Sequence, residues 1–163
     1  MKSINNSFLI INEVNKIAIP QYSLQRILRK LLLTLSVSPI FTGNFRCKIL
    51  KWAGVNIGGQ SFIGANVIID TLHPELISIG QGCVITSGTC ILSHFYSTQK
   101  AIFYLGKVHI GKNVFIGMNT IIVKAVTIGD NAVIGAGSII TCDIPSGEIW
   151  AGNPAKFIKK VGI

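Results

Sequence analysis

The chain has 163 residues, 49% apolar and 13% charged, a composition that supports one compact core and excludes a disordered chain. Its formal charge is +9, of which +7 lies in residues 1–51, where eight Lys/Arg outnumber the single acid Glu13. Four cysteines, at 47, 83, 90 and 142, form no CxxC and no ligand-spaced pair, which points to reduced thiols in a cytosolic protein and away from zinc.

Residues 1–54 read as a basic, helical N-terminal segment. The start, MKSINNSFLIINEV, lacks the basic run, long apolar core and small-residue cleavage site of a secretory signal. The longest apolar run, LLLTLSVSPIF (31–41), is too short to cross a bilayer. Residues 22–37, YSLQRILRKLLLTLSV, place Ile27, Leu28, Leu31, Leu32 and Leu35 at helical spacing among Arg26, Arg29 and Lys30. This predicts an amphipathic helix whose apolar face packs onto the body of the protein, with docking on an anionic membrane or polymer surface as the alternative.

From residue 55 aliphatic residues recur every six positions: Ile57, Ile63, Ile69, then Ile79, Ile85, Ile91, then Ile110, Ile116, Ile122, Ile128, Ile134, Ile140. Such a period belongs to a solenoid and not to a folded-back sheet. Four places after the aliphatic residue a small one often stands (Ser61, Cys83, Thr89, Thr120, Ala132, Ser138), so small, any, aliphatic form an inward-facing alternation on a short strand. Three places after it Asn or Gly dominates, as at Asn66, Gly88 and Asn119, the types that tolerate the left-handed backbone of a tight corner. Glycine directly after the aliphatic residue is missing from every third hexad (Asp70, Leu92, Val123, Thr141), so three hexads make one coil of triangular section.

Coils begin at 57, 79, 110 and 128, and against a repeat of 18 their spacings of 22, 31 and 18 leave insertions of 4 and 13 residues. Both follow a third hexad, in DTLHPELIS (70–78) and in the tract after His94, and therefore leave the prism along one edge. Repeats build the scaffold, and the two breaks gather special residues at that edge. The expected layout is a helical segment over 1–54, coils over 55–145 with a protruding loop at 95–107, and a tail over 146–163 in which AKFIKKV (155–161) forms a capping helix or arm.

The hexads IGKNVF, IGMNTI, IGDNAV and IGAGSI, followed by TCDIPSGEIWAGNPAKFIKK, resemble the left-handed β-helix acyltransferases of hexapeptide-repeat type, in their maltose, galactoside and capsular or lipopolysaccharide O-acetyltransferase branch. FRCKILKWAGVNIGGQSFIG (45–64) is similar to the start of the helix in surface-polysaccharide members. The resemblance implies an all-β solenoid, a left-handed parallel β-helix, assembled as a homotrimer with active sites between subunits. It also implies acetyl-coenzyme A as co-substrate, no metal, and a saccharide acceptor attacked directly in a ternary complex.

A sugar hydroxyl must lose its proton as it attacks a thioester, which asks for a base of pKa about 7 within hydrogen-bond reach, and histidine suits that role. Of His73, His94 and His109, the family base matches His94, beside the long insertion. The resemblance further implies the backbone N–H of Met118, just after Gly117, as oxyanion donor. On the acceptor side it points to Asp70, with Ser93 and Tyr96 beside the base. On the coenzyme it points to Gly117, Met118, Ala136, Thr141, Cys142, Lys156 and Lys159. Cys142 stands where lysine is usual, and Lys156 where some relatives have arginine, so phosphate binding falls to Lys156, Lys159 and Lys160 as point charges. The plain alternatives are an exposed turn histidine, a polar corner aspartate and a solvated lysine face.

Other chemistries fit less well. A zinc carbonic anhydrase on such a prism needs three histidines, two of them five apart, whereas the separations here are 21 and 15. A cysteine acyl-enzyme through Cys90 lacks a basic neighbour in sequence. A non-catalytic solenoid scaffold needs neither a histidine beside a long insertion nor a basic tail. Serine or antibiotic acetylation stays open, since acceptor choice is expected to lie in the loop FYSTQKAIFYLGK, with Phe95, Tyr96, Phe103 and Tyr104 as sugar-stacking or packing aromatics. No nucleic-acid partner is expected, and the protein is expected in the cytoplasm, with its basic N-terminal segment the candidate for contact with the inner membrane surface.

Overall fold

The computed structural model describes residues 8–11, 24–100 and 102–162. Strand β1 (Phe8–Ile11) is followed by helices α1 (Leu24–Val37) and α2 (Gly43–Trp52). Tyr22 and Ser23, the expected first residues of α1, lie outside the described residues. Two-residue strands then succeed one another at the predicted hexad spacing: β2 (Asn56–Ile57), β3 (Phe62–Ile63) and β4 (Ile68–Ile69). A short 3-10 turn over Pro74–Leu76 leads to β5 (Ile77–Ile79), β6 (Val84–Ile85) and β7 (Cys90–Ile91). The long insertion holds β8 (His94–Ser97) and β9 (Ile102–Gly106). After it come β10 (Val108–Ile110), β11 (Phe115–Ile116), β12 (Ile121–Ile122), β13 (Thr127–Ile128), β14 (Val133–Ile134) and β15 (Ile139–Ile140). The chain closes with β16 (Glu148–Gly152) and β17 (Ala155–Lys160).

The twelve hexad strands are dealt in strict rotation to three parallel sheets: sheet I (β2, β5, β10, β13), sheet II (β3, β6, β11, β14) and sheet III (β4, β7, β12, β15). Register aligns the isoleucines one above another, Ile63 with Ile85, Ile116 and Ile134 on sheet II for example. All twelve are at most 4% exposed and form the core. Each buried side chain of this size contributes roughly 1.5–3 kcal/mol. The small inward residues carry hydroxyls that bond back to the preceding corner, Thr120 to the Gly117 carbonyl at 2.7 Å and Ser138 to that of Gly135 at 2.6 Å.

The corners from sheet I to II and from sheet II to III turn on a residue of positive φ: Gln60, Gly82, Asn113 and Asn131 on the first edge, Asn66, Gly88, Asn119 and Gly137 on the second. The edge from sheet III to I uses none among the described residues. The outward faces differ too. Sheet I presents Asn56, Ser78, His109 and Thr127, sheet II Phe62, Val84, Phe115 and Val133, and sheet III Ile68, Cys90, Ile121 and Ile139.

Three expectations need correction. The C-terminal AKFIKKV is no helix: β17 folds back antiparallel on β16, which continues sheet II above β14. The strand edge left open by the last coil demands a backbone partner, and that demand outweighs any helical reading of the side chains. The loop at 95–107 is a β-hairpin, β8 on β9, with β1 added antiparallel to β9 as a third strand. The apolar face of α1 is not turned inward either: Leu33 and Ser36 are buried, while Ile27, Leu28, Leu31 and Leu35 are 43–56% exposed.

The N-terminal segment is pinned by Arg46 of α2, which is 2% exposed and was not distinguished in the sequence. Its guanidinium donates to the carbonyls of Ser36, Ser38, Phe41 and Ile63 at 2.6–2.8 Å, tying α1 and the interhelical turn to the first coil. Four carbonyl acceptors offset the cost of burying that charge.

Candidate active site

Asp70 directly follows β4 and Ser93–His94 closely follow β7, so stacking of adjacent coils brings the two insertions together at the edge between sheets III and I. One carboxylate organises the junction. Asp70 Oδ1 accepts the Leu72 N–H at 2.9 Å, closing an Asx-type turn in the shorter insertion. Oδ2 accepts the Ser93 N–H at 2.9 Å and the Ser93 hydroxyl at 2.7 Å, and lies 2.6 Å from His94 Nδ1.

Burial raises the Asp70 carboxyl, but hydrogen bonds from the Ser93 hydroxyl, the Leu72 N–H, His94 and the Ser93 N–H outweigh it and hold the group below its ordinary value. Asp70 is therefore a carboxylate at neutral pH and can only accept, so Nδ1 of His94 carries the proton in their bond. The basic lone pair of the neutral imidazole is thereby placed on Nε2. The Asp70 side chain is 1% exposed and that of His94 26%, so the histidine is the member of the pair that reaches the surface.

Asp70 and Ser93, expected on the acceptor side, are both buried: Asp70 accepts from Leu72 and Ser93 and meets His94, and the Ser93 hydroxyl is spent on the Asp70 carboxylate. His94 is also not a turn residue: it opens strand β8, opposite Leu105 of β9. Of the aromatics in the insertion, Phe95 and Tyr104 stack on each other with centroids 4.6 Å apart, and Tyr104 is buried. Tyr96, on β8, is 43% exposed. The side chain of Phe103 lies outside the described residues.

The other histidines have partners of their own. His73 lies 3.0 Å from Glu75, and His109, on the outer face of sheet I, lies 2.9 Å from Ser78. Cys90 on β7 does not offer a thiolate: burial pushes its thiol up, and the Asp70 charge pushes it further.

The remaining candidates fall into separate groups. Gly117, Met118 and Ala136 occupy corners of the edge between sheets II and III, at the other side of sheet III from His94. These corners stack tightly: a Cβ on Gly117 would run into the backbone nitrogen of Ala136. Met118 is 52% exposed, its carbonyl accepts from Gly137, and its N–H enters no backbone bond among the described residues. Thr141 and Cys142 follow β15 on the His94 side of sheet III, Thr141 half-buried and Cys142 exposed. Lys156 and Lys159 are exposed on β17, opposite Ala151 and Ile149, and Lys160 stands opposite Glu148. Within one chain, then, Asp70, Ser93 and His94 are assembled, while Met118 is held apart from them by the width of sheet III.

Comparison with known proteins adds the following. Residues 107–142 match a family model described as bacterial transferase hexapeptide (six repeats), and residues 54–93 match the hexapeptide repeat of succinyl-transferase. The chain is 39% identical over 104 residues to the putative acetyltransferase YvoF of Bacillus subtilis, covering 64% of this chain and 59% of that protein. The chain spans about half to three-fifths of the length of three curated relatives it matches (59%, 50% and 51%). Among solved structures it is similar to a maltose O-acetyltransferase from Clostridium difficile 630, with TM-score 0.63 and 30% identity over 85% of this chain and 87% of that one. It shares its fold with the hexapeptide-repeat acetyltransferase VCA0836 of Vibrio cholerae complexed with acetyl coenzyme A, with TM-score 0.72 and 21% identity over 85% and 88%.

Proposed function

The chain belongs to the hexapeptide-repeat transferase family, and from that premise we propose that it transfers an acetyl group from acetyl-coenzyme A to a hydroxyl of a saccharide, with His94 as general base. The observation that carries this reading is the Asp70–His94 pair at the root of the inserted hairpin: a buried carboxylate fixes the tautomer and leaves Nε2 as the proton acceptor at a partly exposed position. A relative named for maltose O-acetylation supports the choice of a saccharide hydroxyl. Tyr96, exposed two residues from the base, is the platform on which a sugar ring would stack.

In the reaction, acetyl-coenzyme A supplies the activated acyl group. Nε2 of His94 takes the acceptor hydroxyl's proton as its oxygen bonds to the acyl carbon, and returns that proton to the departing sulfur as the thioester bond breaks. The N–H of Met118, with Gly117 keeping the corner close to its neighbour coil, is the donor for the carbonyl oxygen as charge develops there. Exposed Lys156 and Lys159 meet coenzyme phosphates, and Thr141, Cys142 and Ala136 line its path.

Such a site needs more than one chain, because His94 and Met118 flank opposite sides of sheet III. A closed, left-handed coil packed as a homotrimer with sheet III turned toward the three-fold axis sets each protomer's Met118 edge beside its neighbour's His94 edge. The outward row of sheet III, Ile68, Cys90, Ile121 and Ile139, is apolar and suits that inward position, unlike the Asn56, Ser78, His109 and Thr127 row of sheet I. The deciding experiment is mass spectrometry of reactions holding the protein, acetyl-coenzyme A and a panel of saccharides, serine and chloramphenicol. A mass gain of one acetyl group on a saccharide is the expected result; acetylation of serine or chloramphenicol alone would reassign the acceptor.

A further inference from the structure

Strands β1, β9 and β8 form a three-stranded sheet of their own, in that order, and none of them joins a sheet of the prism. Residues 8–11 therefore spend their strand pairing on the inserted hairpin alone. The register sets Phe8 opposite Gly106, Leu9 opposite Leu105, Ile10 opposite Tyr104 and Ile11 opposite Phe103, while on the other side of β9 Leu105 stands opposite His94 and Phe103 opposite Tyr96. Position 9 is thus in line with the base, and position 11 with Tyr96. The hairpin is held differently along its length. At its root the Ser93 carbonyl accepts the Gly106 N–H at 2.9 Å, and Asp70 fixes both Ser93 and His94. Beyond the root β8 pairs with no strand but β9 among the described residues, and a two-stranded hairpin by itself is marginal in water. The third strand makes β9 central, with backbone partners on both sides.

We infer that β1 is a positioning element of the acceptor site: by pairing with β9 it keeps β8 an ordered strand and so sets Tyr96 at a fixed place relative to Nε2 of His94. The inference rests on the acetyl-transfer reading above and adds to it the N-terminal strand, so that two stretches distant in sequence build one acceptor platform. The base does not need β1, because the Asp70 carboxylate orients the imidazole from the root side. Tyr96 does, since it stands two residues further along β8, past the bonds that secure the root. An acceptor must bring its hydroxyl to Nε2 while its ring lies on Tyr96, and a hairpin that frays beyond the root keeps the first requirement and loses the second. The loss then falls on acceptor binding. The donor is spared, because the residues assigned to it lie on the prism and on β17.

The test combines hydrogen–deuterium exchange with steady-state kinetics on the full chain carrying Leu9→Pro and Ile10→Pro. Successive strand residues turn their N–H groups to opposite sides, so the pair removes a donor toward β9 whichever of the two faces it. Exchange over residues 102–106, protected in the wild type, should become about tenfold faster in the variant, while exchange over the three prism sheets stays unchanged. The acceptor KM should rise about tenfold, with kcat, the KM for acetyl-coenzyme A and the mass in light scattering close to wild type. Leu9→Val with Ile10→Val, which keeps both N–H groups and the strand preference, should behave as the wild type. Unchanged exchange over β9 would overturn the inference, as would faster exchange with an unchanged acceptor KM. Equal rises in both KM values, or a loss of assembly mass, would make β1 a support of the whole fold and overturn its assignment to the acceptor. Exchange is read without substrate: a protein that acetylates no saccharide fails the reading above, whereas unprotected β9 amides in an active wild-type protein fail this inference alone.

Discussion

Where sheet II passes into sheet III, all four coils turn on a positive-φ residue, Asn66, Gly88, Asn119 or Gly137; where sheet III passes into sheet I, no described residue has positive φ, and two of the four coils break their repeat. The first edge is fixed by backbone geometry: a residue that must be left-handed is Gly or Asn, and a corner pressed against the next coil has little room for a side chain. The second edge carries no such requirement. Asp70, Ser93 and His94 sit there because the corner leaves residue type open to chemistry, and the insertions supply the covering atoms that keep the carboxylate dry. One edge of sheet III thus supplies a regular backbone, and the other supplies the titratable groups.

The sharpest way to break this division is His94→Ala. If the III–I edge holds the base, turnover should drop by about two to four orders of magnitude while binding of acetyl-coenzyme A changes little. Isothermal titration and steady-state rates on the acetylated saccharide check both parts. His73→Ala and His109→Ala, whose rings pair with Glu75 and Ser78 away from the carboxylate, should stay near the wild-type rate.

Asp70→Asn asks whether the edge works through a positioned base or through a bare histidine. The amide keeps one oxygen where the carboxylate has two, so either Leu72 or the Ser93–His94 pair faces an NH2 that cannot accept; turned toward Ser93 and His94, that NH2 costs the imidazole its fixed tautomer, and the rate should fall about tenfold to a hundredfold. Leaving those buried donors poorly matched should cost about 1–3 kcal/mol in denaturant unfolding. The acid limb of stability carries the sign. Because hydrogen bonds hold the folded Asp70 carboxyl below its ordinary value, its contribution is full above the unfolded carboxylate range and is lost as pH falls through the lowered folded value. That part of the acid destabilisation should be missing from Asp70→Asn, and an unchanged acid limb would deny Asp70 the role of buried carboxylate.

Much of this was legible as period. The twelve isoleucines, the coil of three hexads and the placing of both insertions on one edge all follow from spacing, because an inward side chain every six residues leaves a direct mark on the sequence. His94 was legible from the register plus the family resemblance. The partnership of Asp70 with Ser93 and His94 was not, since it joins residues 23 and 24 positions apart through side-chain atoms that no period describes. The C-terminal strand pair was misread for a related reason: β17 is set by the open edge above β14, a tertiary demand that the alternation in AKFIKKV does not announce. The outward turn of the α1 apolar arc was missed because amphipathicity reveals an apolar face without saying what covers it.

Mixing subunits tests whether the two edges of sheet III serve one another across chains. A His94→Ala protein and an Ala136→Trp protein, the latter blocking the exposed II–III corner, should each be nearly inactive. Co-expressed in equal amounts as random trimers, three-quarters of the assemblies are mixed, and each mixed trimer has one interface pairing an intact His94 with an intact corner, so the activity should recover to about a quarter of wild type. No recovery would place both edges' contributions within one chain or outside the site.

The smallest expected effect concerns the basic tail above the II–III edge. Lys156→Glu with Lys159→Glu reverses two exposed cations on β17, so the loss is that of screened surface charges, about 0.5–1 kcal/mol, or roughly a two- to fivefold rise in the KM for acetyl-coenzyme A. The KM for an uncharged saccharide should hold, because only the donor brings phosphates, and the donor effect should shrink as salt is raised. Lys160→Glu is the internal control: Lys160 already faces Glu148 across the strand pair, and reversing it changes the tail's charge without removing either lysine assigned to the coenzyme. A donor KM that responds to Lys160→Glu as strongly as to the double variant would mean that the tail acts through its overall charge. A response confined to Lys156 and Lys159 would mean that the II–III edge extends its donor groove onto β17 at fixed positions, completing with side chains what the corners below it offer as backbone.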